Sequence, residues 1–278
     1  MSLTEACQAL EVSRSGYHEH LRKPRGKRRR QDRVLASALA EEFALSRQTY
    51  GSPRLVAALR RRGLRHGKNR VRRLMREQHL HVRQKRRFVP RTTQADKTSH
   101  PSPNRLGAQP APTRPNQAWV TDITYLLTGE GWLYIAAEMD LYSRRIIGWD
   151  AGPSLGTALP VSALQRALAT RRGHDLRDLL HHSDRGCQYT SHAFRRQLLH
   201  KGITQSMSRA GNCYDNAAIE SFWATLKTEC FGTAIPATRA RARAMLFDYI
   251  ETFYNTVRLH SSLNFLSPLA FEKSTQLT

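Results

Sequence analysis

Two hydrophobic periods divide this chain. Up to residue 80 apolar residues recur every three or four positions, the spacing of helices that bury one face; beyond residue 117 the period shortens to two and then alternates with helical stretches. Ser2 and Glu5 have the form of a capping box, and Leu3, Ala6 and Leu10 follow at helical spacing before a break near Glu11-Val12. A second short helix is expected from Ser13. Two helices joined so tightly suggest a helix-turn-helix, and a plain helical hairpin fits equally well. The run Lys23 to Arg30 is too basic to pack and is expected to be a solvated connector lying along phosphates. From Asp32 to Ser46 the residues Val34, Leu35, Ala38, Leu39 and Phe43 predict one apolar helical stripe. Ser52-Pro53 then predicts an N-cap with Pro at the first helical position; Leu55, Ala58 and Leu59 face inward and Gly63 stops the helix. After Gly67 comes a helix with Val71, Leu74 and Met75 inside and Lys68, Arg70, Arg72, Arg73 and Arg76 over the remaining surface.

Between Phe88 and Asn116 the periodicity dissolves and six of the twelve prolines gather, which predicts an extended linker. Beyond it, Trp119 to Leu127, Trp132 to Met139 and Arg144 to Trp149 read as three antiparallel strands, the first turn being Gly129-Glu130-Gly131. Thr157 to Arg171 reads as helix, Leu179 to Ser183 as strand, Ser191 to Lys201 as helix, Ile203 to Met207 as strand and Tyr214 to Thr228 as amphipathic helix. Arg239 to Arg258 is expected to be a last helix packed on the core. The predicted class is therefore α/β, a mixed five-stranded sheet with flanking helices behind an all-α region. The expected organisation is a helical hairpin or helix-turn-helix with its connector at 1–30, a helix-turn-helix region at 31–87, the linker at 88–116 and the core at 117–278.

Composition narrows the function. In 278 residues, 40% of them hydrophobic, no run approaches the roughly 18 apolar residues of a membrane span, and Met1 is followed by no charged-then-apolar leader. Cys7, Cys187, Cys213 and Cys230 lie far apart without a C-x-x-C pair, so neither a disulfide framework nor a zinc knuckle is expected and a cytoplasmic, nucleoid-associated location fits. The 45 Lys and Arg against 22 Asp and Glu leave a net charge of +23, an excess that calls for a polyanion. Residues 1–91 hold 25 of those cations and only 7 acids, so the grip lies in the helical part. A basic helix with an apolar inner face suits the major groove, its arginines reaching guanine edges or phosphates; phosphate contact without base reading is the plainer alternative.

Acids are scarce here, so their positions matter. Asp122 falls mid-strand, where Asp is disfavoured and costly to bury unpaired. Asp184 directly follows a strand. Glu220 lies on the helix whose apolar side is Ile219, Phe222, Trp223 and Leu226, and Asn216, Glu220 and Lys227 share a polar stripe. If the fourth strand pairs parallel to the first and this helix packs across them, three carboxylates converge. Two like charges about 4 Å apart repel by roughly 4 kcal/mol at an effective dielectric near 20, so such a cluster calls for a cation. Oxygen ligands alone suit Mg²⁺ or Mn²⁺, and two such ions would serve an in-line displacement at a phosphodiester.

Thirty-five residues separate Asp184 from Glu220, with Lys227 seven beyond, which resembles the D-D-35-E signature of retroviral integrases and insertion-sequence transposases. Longer segments are more specific: Trp119-Val-Thr-Asp122-Ile-Thr-Tyr125, Asp140-Leu-Tyr-Ser-Arg-Arg-Ile-Ile-Gly-Trp149, His182-Ser-Asp184-Arg-Gly-Cys-Gln-Tyr-Thr-Ser191, Ser208-Arg-Ala-Gly-Asn-Cys-Tyr-Asp-Asn216 leading into Glu220-Ser-Phe-Trp-Ala-Thr-Leu-Lys227, and Tyr254-Asn-Thr-Val-Arg-Leu-His-Ser-Ser-Leu263. Together with Tyr50-Gly-Ser-Pro-Arg-Leu, these resemble the transposase of the insertion sequence three family, the product of its second reading frame, along the whole chain. The resemblance implies an RNase H-like core in which Asp122, Asp184 and Glu220 hold two Mg²⁺ ions, with Mn²⁺ as a substitute. It implies hydrolysis at the element's end and transfer of the freed 3′-OH to another phosphate. By the same likeness Lys227 would contact DNA near the scissile end, with Arg185 and Asn216 as weaker contacts, while Asp140 is a turn or hydrogen-bonding residue. Partners implied are double-stranded DNA at the terminal inverted repeats and target, further copies of the chain on DNA, and an upstream-frame fusion or partner. The His-His-Cys-Cys zinc module of retroviral integrases is missing, since residues 1–91 hold only Cys7. His181 and His182 are placed to tune the site electrostatically. Two rivals remain at this stage, a non-catalytic DNA-binding regulator and a nuclease on the same core.

Overall fold

The computed structural model describes residues 2–22, 25–82, 102–208 and 216–275. The first half of the expected linker, Cys213 and the expected helix start at Tyr214 lie outside them. The chain forms two compact units, Met1–Val82 and Arg83–Thr278.

In the first unit α1 (Leu3–Ala9) opens with the capping box: Ser2 Oγ accepts from Glu5 N–H and Glu5 Oε2 from Ser2 N–H. Its apolar side is not the expected one, for Cys7 is buried while Leu10 is 73% exposed. After α2 (Arg14–Arg22), helix α3 runs over Arg25–Leu45. The basic run expected as a connector is thus helical from Arg25, because Arg and Lys are good helix formers. Leu35, Ala38, Leu39 and Phe43 are buried as expected, but Val34, placed in the same stripe, is 65% exposed. Helix α4 (Ser52–Arg61) takes Gly51 as its N-cap in place of Ser52, and α5 (Lys68–Glu77) takes Gly67. Leu55, Leu59, Val71 and Leu74 close the core of this bundle.

The second unit is built on a five-stranded sheet ordered β3-β2-β1-β4-β5, from β1 (Ala118–Thr128), β2 (Gly131–Asp140), β3 (Ile146–Gly152), β4 (Leu180–Ser183) and β5 (Thr204–Met207). The first three strands pair antiparallel; β4 pairs parallel with β1 and with β5. Helix α6 (Ala158–Thr170) packs on β3 so closely that a Cβ at Gly148 would sit 2.4 Å from the Ala163 carbonyl oxygen and from Ala167 N, which only glycine permits. Gly129 is required at the hairpin tip for the same reason, with the Ala237 carbonyl oxygen 2.5 Å from any added Cβ. The short α7 (Cys187–Thr190) and α8 (His192–His200) follow β4, and Trp119, Tyr189, Phe194 and Leu198 join them to the sheet in one apolar cluster.

The helix expected from Tyr214 is α9 (Ala217–Leu226), which widens into a π-helical turn over Lys227–Phe231. The single helix expected from Arg239 to Arg258 is α10 (Arg239–Phe247), continued by π-helical turns over Asp248–Tyr254. Its end packs inward: Asn255 accepts from Ile146 N–H at 3.0 Å and donates to the Ile146 carbonyl at 2.9 Å, and Arg258 forms a buried pair with Glu229 at 2.7 Å. Tyr254, Asn255 and Arg258 are therefore packing residues. The described second half of the expected linker is anchored to the core, since Arg105 and Leu106 N–H both donate to Ser206 Oγ and Asn116 N–H donates to Asp140 Oδ2.

Asp140 is the hydrogen-bonding residue it was expected to be. It also belongs to a buried ionic cluster that ties α11 (Pro268–Thr275) to the sheet. Arg171 donates to Asp140 Oδ2 at 3.2 Å and to both carboxylate oxygens of Glu272, which also receives Arg145 at 2.9 Å and Ser143 Oγ at 2.7 Å.

Candidate active site

Strand pairing brings the two aspartates together. The last β1–β4 pair is Val120 with His182; Asp122 lies two residues further along β1, and Asp184 directly follows the last residue of β4, Ser183. Adjacent strands stand about 4.8 Å apart, so the parallel pairing brings the two aspartates near one another, and the charge of Asp184 acts on Asp122. Pairing with β4 stops at Val120, which leaves the edge of β1 open, and the start of α9 meets it there: Asn216 Nδ2 reaches the Thr121 carbonyl at 3.5 Å and Trp223 Nε1 donates to Asp122 Oδ2 at 3.1 Å. Glu220 precedes Trp223 by one turn and so lies on the same face of α9.

Asp122 feels the other two acids. Asp122 is pushed up to about 7, by burial first, then by the charge of Asp184, with Glu220 adding to it against hydrogen bonds from the Ile123 backbone and Trp223. Burial raises Asp184 too, opposed by Gly186 N–H, which donates to its Oδ1 at 2.9 Å. Glu220 occupies an exposed position, and the partial burial of its carboxyl alone raises it. Lys227, on the first residue of the π-turn, places Nζ 5.2 Å from the centre of the Tyr125 ring; burial pulls its ammonium down and the Asp122 charge holds it up. Among the described residues no three His, Cys, Asp or Glu side chains close on one point as metal ligands do.

The remaining expected contacts fall into two groups. Arg185 Nε donates to the Ser208 carbonyl at 2.7 Å, just beyond β5. Asn216 is buried, so its amide sets α9 against β1 and does not face outward as a DNA contact would. On α5, Lys68, Arg72 and Arg76 are exposed. Arg70 and Arg73 instead grip Asp32 of α3 at 2.6 and 2.7 Å, and Arg73 also pairs with Glu77 at 2.7 Å. Two of the five cations on this helix thus find a partner within the free protein, because Asp32, expected only as a helix start, lies opposite them. His181 and His182 are fully buried: His181 Nε2 lies 2.8 Å from Glu138 Oε2, and His182 bridges Ser206 and Ser208 at 2.9 and 3.0 Å. Trp223 was read only as apolar surface; its spacing of three from Glu220 was the available sign that its indole N–H lies on the site.

Comparison with known proteins agrees with this layout. The family described as Integrase core domain matches residues 112–213, a second of that description matches 201–268, and one described as HTH-like domain matches 29–88. The chain is 40% identical to "Transposase InsF for insertion sequence IS3A" of Escherichia coli (strain K12), over 98% of this chain and 94% of that one. It is also 40% identical to the "Insertion element IS600 uncharacterized 31 kDa protein" of Shigella sonnei, over 96% and 97%. Among solved structures it is similar to the simian T-cell lymphotropic virus intasome bound to PP2A regulatory subunit B56 gamma, at 15% identity and a TM-score of 0.48 over 86% of this chain and 76% of that one. The HTLV-2 integrase catalytic core domain in complex with magnesium is similar at 15% identity and a TM-score of 0.40, over 58% and 98%. With a transposase 40% identical along nearly its whole length and integrase-core families over the unit that carries the acids, the chain belongs to the IS3 family of transposases, polynucleotidyl transferases of the DDE type.

Proposed function

We propose that Asp122, Asp184 and Glu220 are the catalytic residues of this transposase and hold two divalent cations, Mg²⁺ with Mn²⁺ as a substitute, during cleavage at the element's end and transfer of the freed 3′-OH. The β1–β4 pairing, which ends just before Asp122 and Asp184, together with the Asp184 charge acting on Asp122, supports this reading. The donor set fits: carboxylate oxygens alone are what Mg²⁺ and Mn²⁺ prefer, whereas zinc favours the nitrogen or sulfur that His181 and His182 keep within their own hydrogen bonds. When bound, such ions supply an activated water or hydroxyl and stabilise a leaving oxygen. The chain's own residues do the rest. Trp223 and Gly186 orient the two aspartates, and Asp122, lifted by burial and then by the Asp184 and Glu220 charges, would ionise more readily with a cation held beside it. Lys227 meets a phosphate beside the trio.

DNA is gripped by the outer side of α5, where Lys68, Arg72 and Arg76 reach double-stranded terminal repeats, and Arg185 contacts the strand near the core. Arg70 and Arg73 serve first to hold α5 to α3. The protein works as more than one copy on DNA, with an upstream-frame product, at the nucleoid.

The test is joining. With Mg²⁺ and a duplex carrying the terminal repeat, the unaltered protein is expected to yield strand-transfer products, whereas Asp122→Asn, Asp184→Asn and Glu220→Gln each lower joining at least about a thousandfold while still binding DNA. Joining retained by any one of them removes that residue from the site. Cutting without joining by the unaltered protein makes it a nuclease.

A further inference from the structure

A hairpin tip in water has no reason to carry large apolar side chains, yet the β1–β2 hairpin pairs Leu127 with Trp132 and leaves them 42% and 47% exposed. The other tryptophans, Trp119, Trp149 and Trp223, are buried. Trp132 is also held in place. Its ring stands edge-on to Tyr125, centroids 5.0 Å apart at 88°, and its carbonyl accepts from Arg239 Nε at 3.1 Å. Beyond Tyr125 comes the Lys227 ammonium over the ring, and beyond that the Asp122 charge acting on the same ammonium. A path thus runs from the acids through a cation and an aromatic edge to an open indole. One anion stands beside it, Glu130, whose carboxylate accepts from Arg239 N–H at 2.8 Å.

We propose that Trp132, backed by Tyr125, is a stacking platform for an unpaired DNA base next to the scissile phosphate. This rests on the assignment of the acids above. A strand end that enters the trio must leave its duplex partner, and the freed base loses its stacking. An indole face replaces that stacking whatever the base, since every base presents a π-face, while Lys227 and Arg239 meet the adjoining phosphates. The mixture of cations and aromatics selects single-stranded nucleic acid over an apolar protein surface.

The experiment measures binding of the full chain in EDTA to two fluorescein-labelled duplexes of one sequence, one blunt and one with a few unpaired nucleotides at a 3′ end. Trp132→Ala is expected to weaken binding of the frayed duplex about tenfold, leave the blunt duplex unchanged and keep the slope of log affinity against log salt. Trp132→Phe restores most of the loss. Lys227→Gln instead lowers the salt slope by roughly 0.9. Equal affinity of Trp132→Ala and the unaltered protein for the frayed duplex, or equal loss on both duplexes, overturns the platform. So does an unaltered protein that self-associates without DNA while Trp132→Ala stays monomeric, which gives the patch to a second copy of the chain. Thermal midpoints of the variants report folding. Joining by Asp122→Asn, measured alongside, reports on the acids alone, so failure of the platform and failure of the active-site reading are separable.

Discussion

Glu272 and Asp122 are both carboxylates lodged in the same sheet domain, and their surroundings differ in kind. Glu272 receives the guanidinium groups of Arg171 and Arg145 and the hydroxyl of Ser143. Burial pushes it up, but Arg171 and its other donors outweigh that and hold it below the usual Glu range. Asp122 receives an indole N–H and a backbone N–H, and its charged neighbours include two further acids. Burial and like charge therefore add, and its carboxyl rises to about 7. Between them stands Asp140, which burial raises to about 6 although Asn116 N–H and Arg171 oppose it. A buried acid matched by cations holds the fold together; one surrounded by acids marks where a cation is to arrive.

Breaking the matched cluster is expected to have the largest effect. Glu272→Ala leaves the buried Arg171 and the half-buried Arg145 without their shared partner, at a cost of about 3–5 kcal/mol in urea unfolding. Because Glu272 is depressed, its contribution is present above its ordinary value of 4.5 and fades as the pH falls through its folded value. Equal stability of Glu272→Ala and the unaltered protein at pH 7 would dissolve the contrast.

The unmatched acid has the opposite sign. A raised folded pKa means that ionising Asp122 costs stability, starting as pH rises past its ordinary 3.8 and complete above about 7. In EDTA at pH 8, Asp122→Asn is expected to stabilise the protein by about 4 kcal/mol, and at pH 4 by almost nothing. A variant less stable than the parent at pH 8 would show that Asp122 is satisfied after all.

The smallest effect concerns the first unit, where Asp32 plays toward Arg70 and Arg73 the part that Glu272 plays toward Arg171, but near solvent. Arg72→Ala with Arg76→Ala is expected to flatten the salt dependence of DNA binding by roughly 0.9 per lost phosphate contact. Asp32→Asn releases Arg70, leaves Arg73 only its pair with Glu77, and is expected to steepen it. Slopes unchanged in both variants would take α5 off the DNA backbone.

Much of this was legible along the chain. Runs rich in β-branched and aromatic residues located β1, β2 and β3, whose inner stretches are buried at consecutive positions. Asp122 was conspicuous because a charge inside such a run has no local remedy. The widened turns after Leu226 and Phe247 were not legible, since a π-turn differs from an α-turn by one residue and leaves the apolar spacing nearly intact. Nor were the partners of Arg70, Arg171 and Trp223, which lie 38, 101 and 101 residues away.

By itself the sequence determined the element types, the charge split between the two units and the family, because periodicity, charge and motif spacing are properties of neighbours along the chain. Only the tertiary structure decided which charges cancel. The free energy of a carboxylate depends on what stands within a few ångströms of it, and for Asp122, Asp32 and Glu272 those neighbours arrive from distant segments through strand register and helix packing.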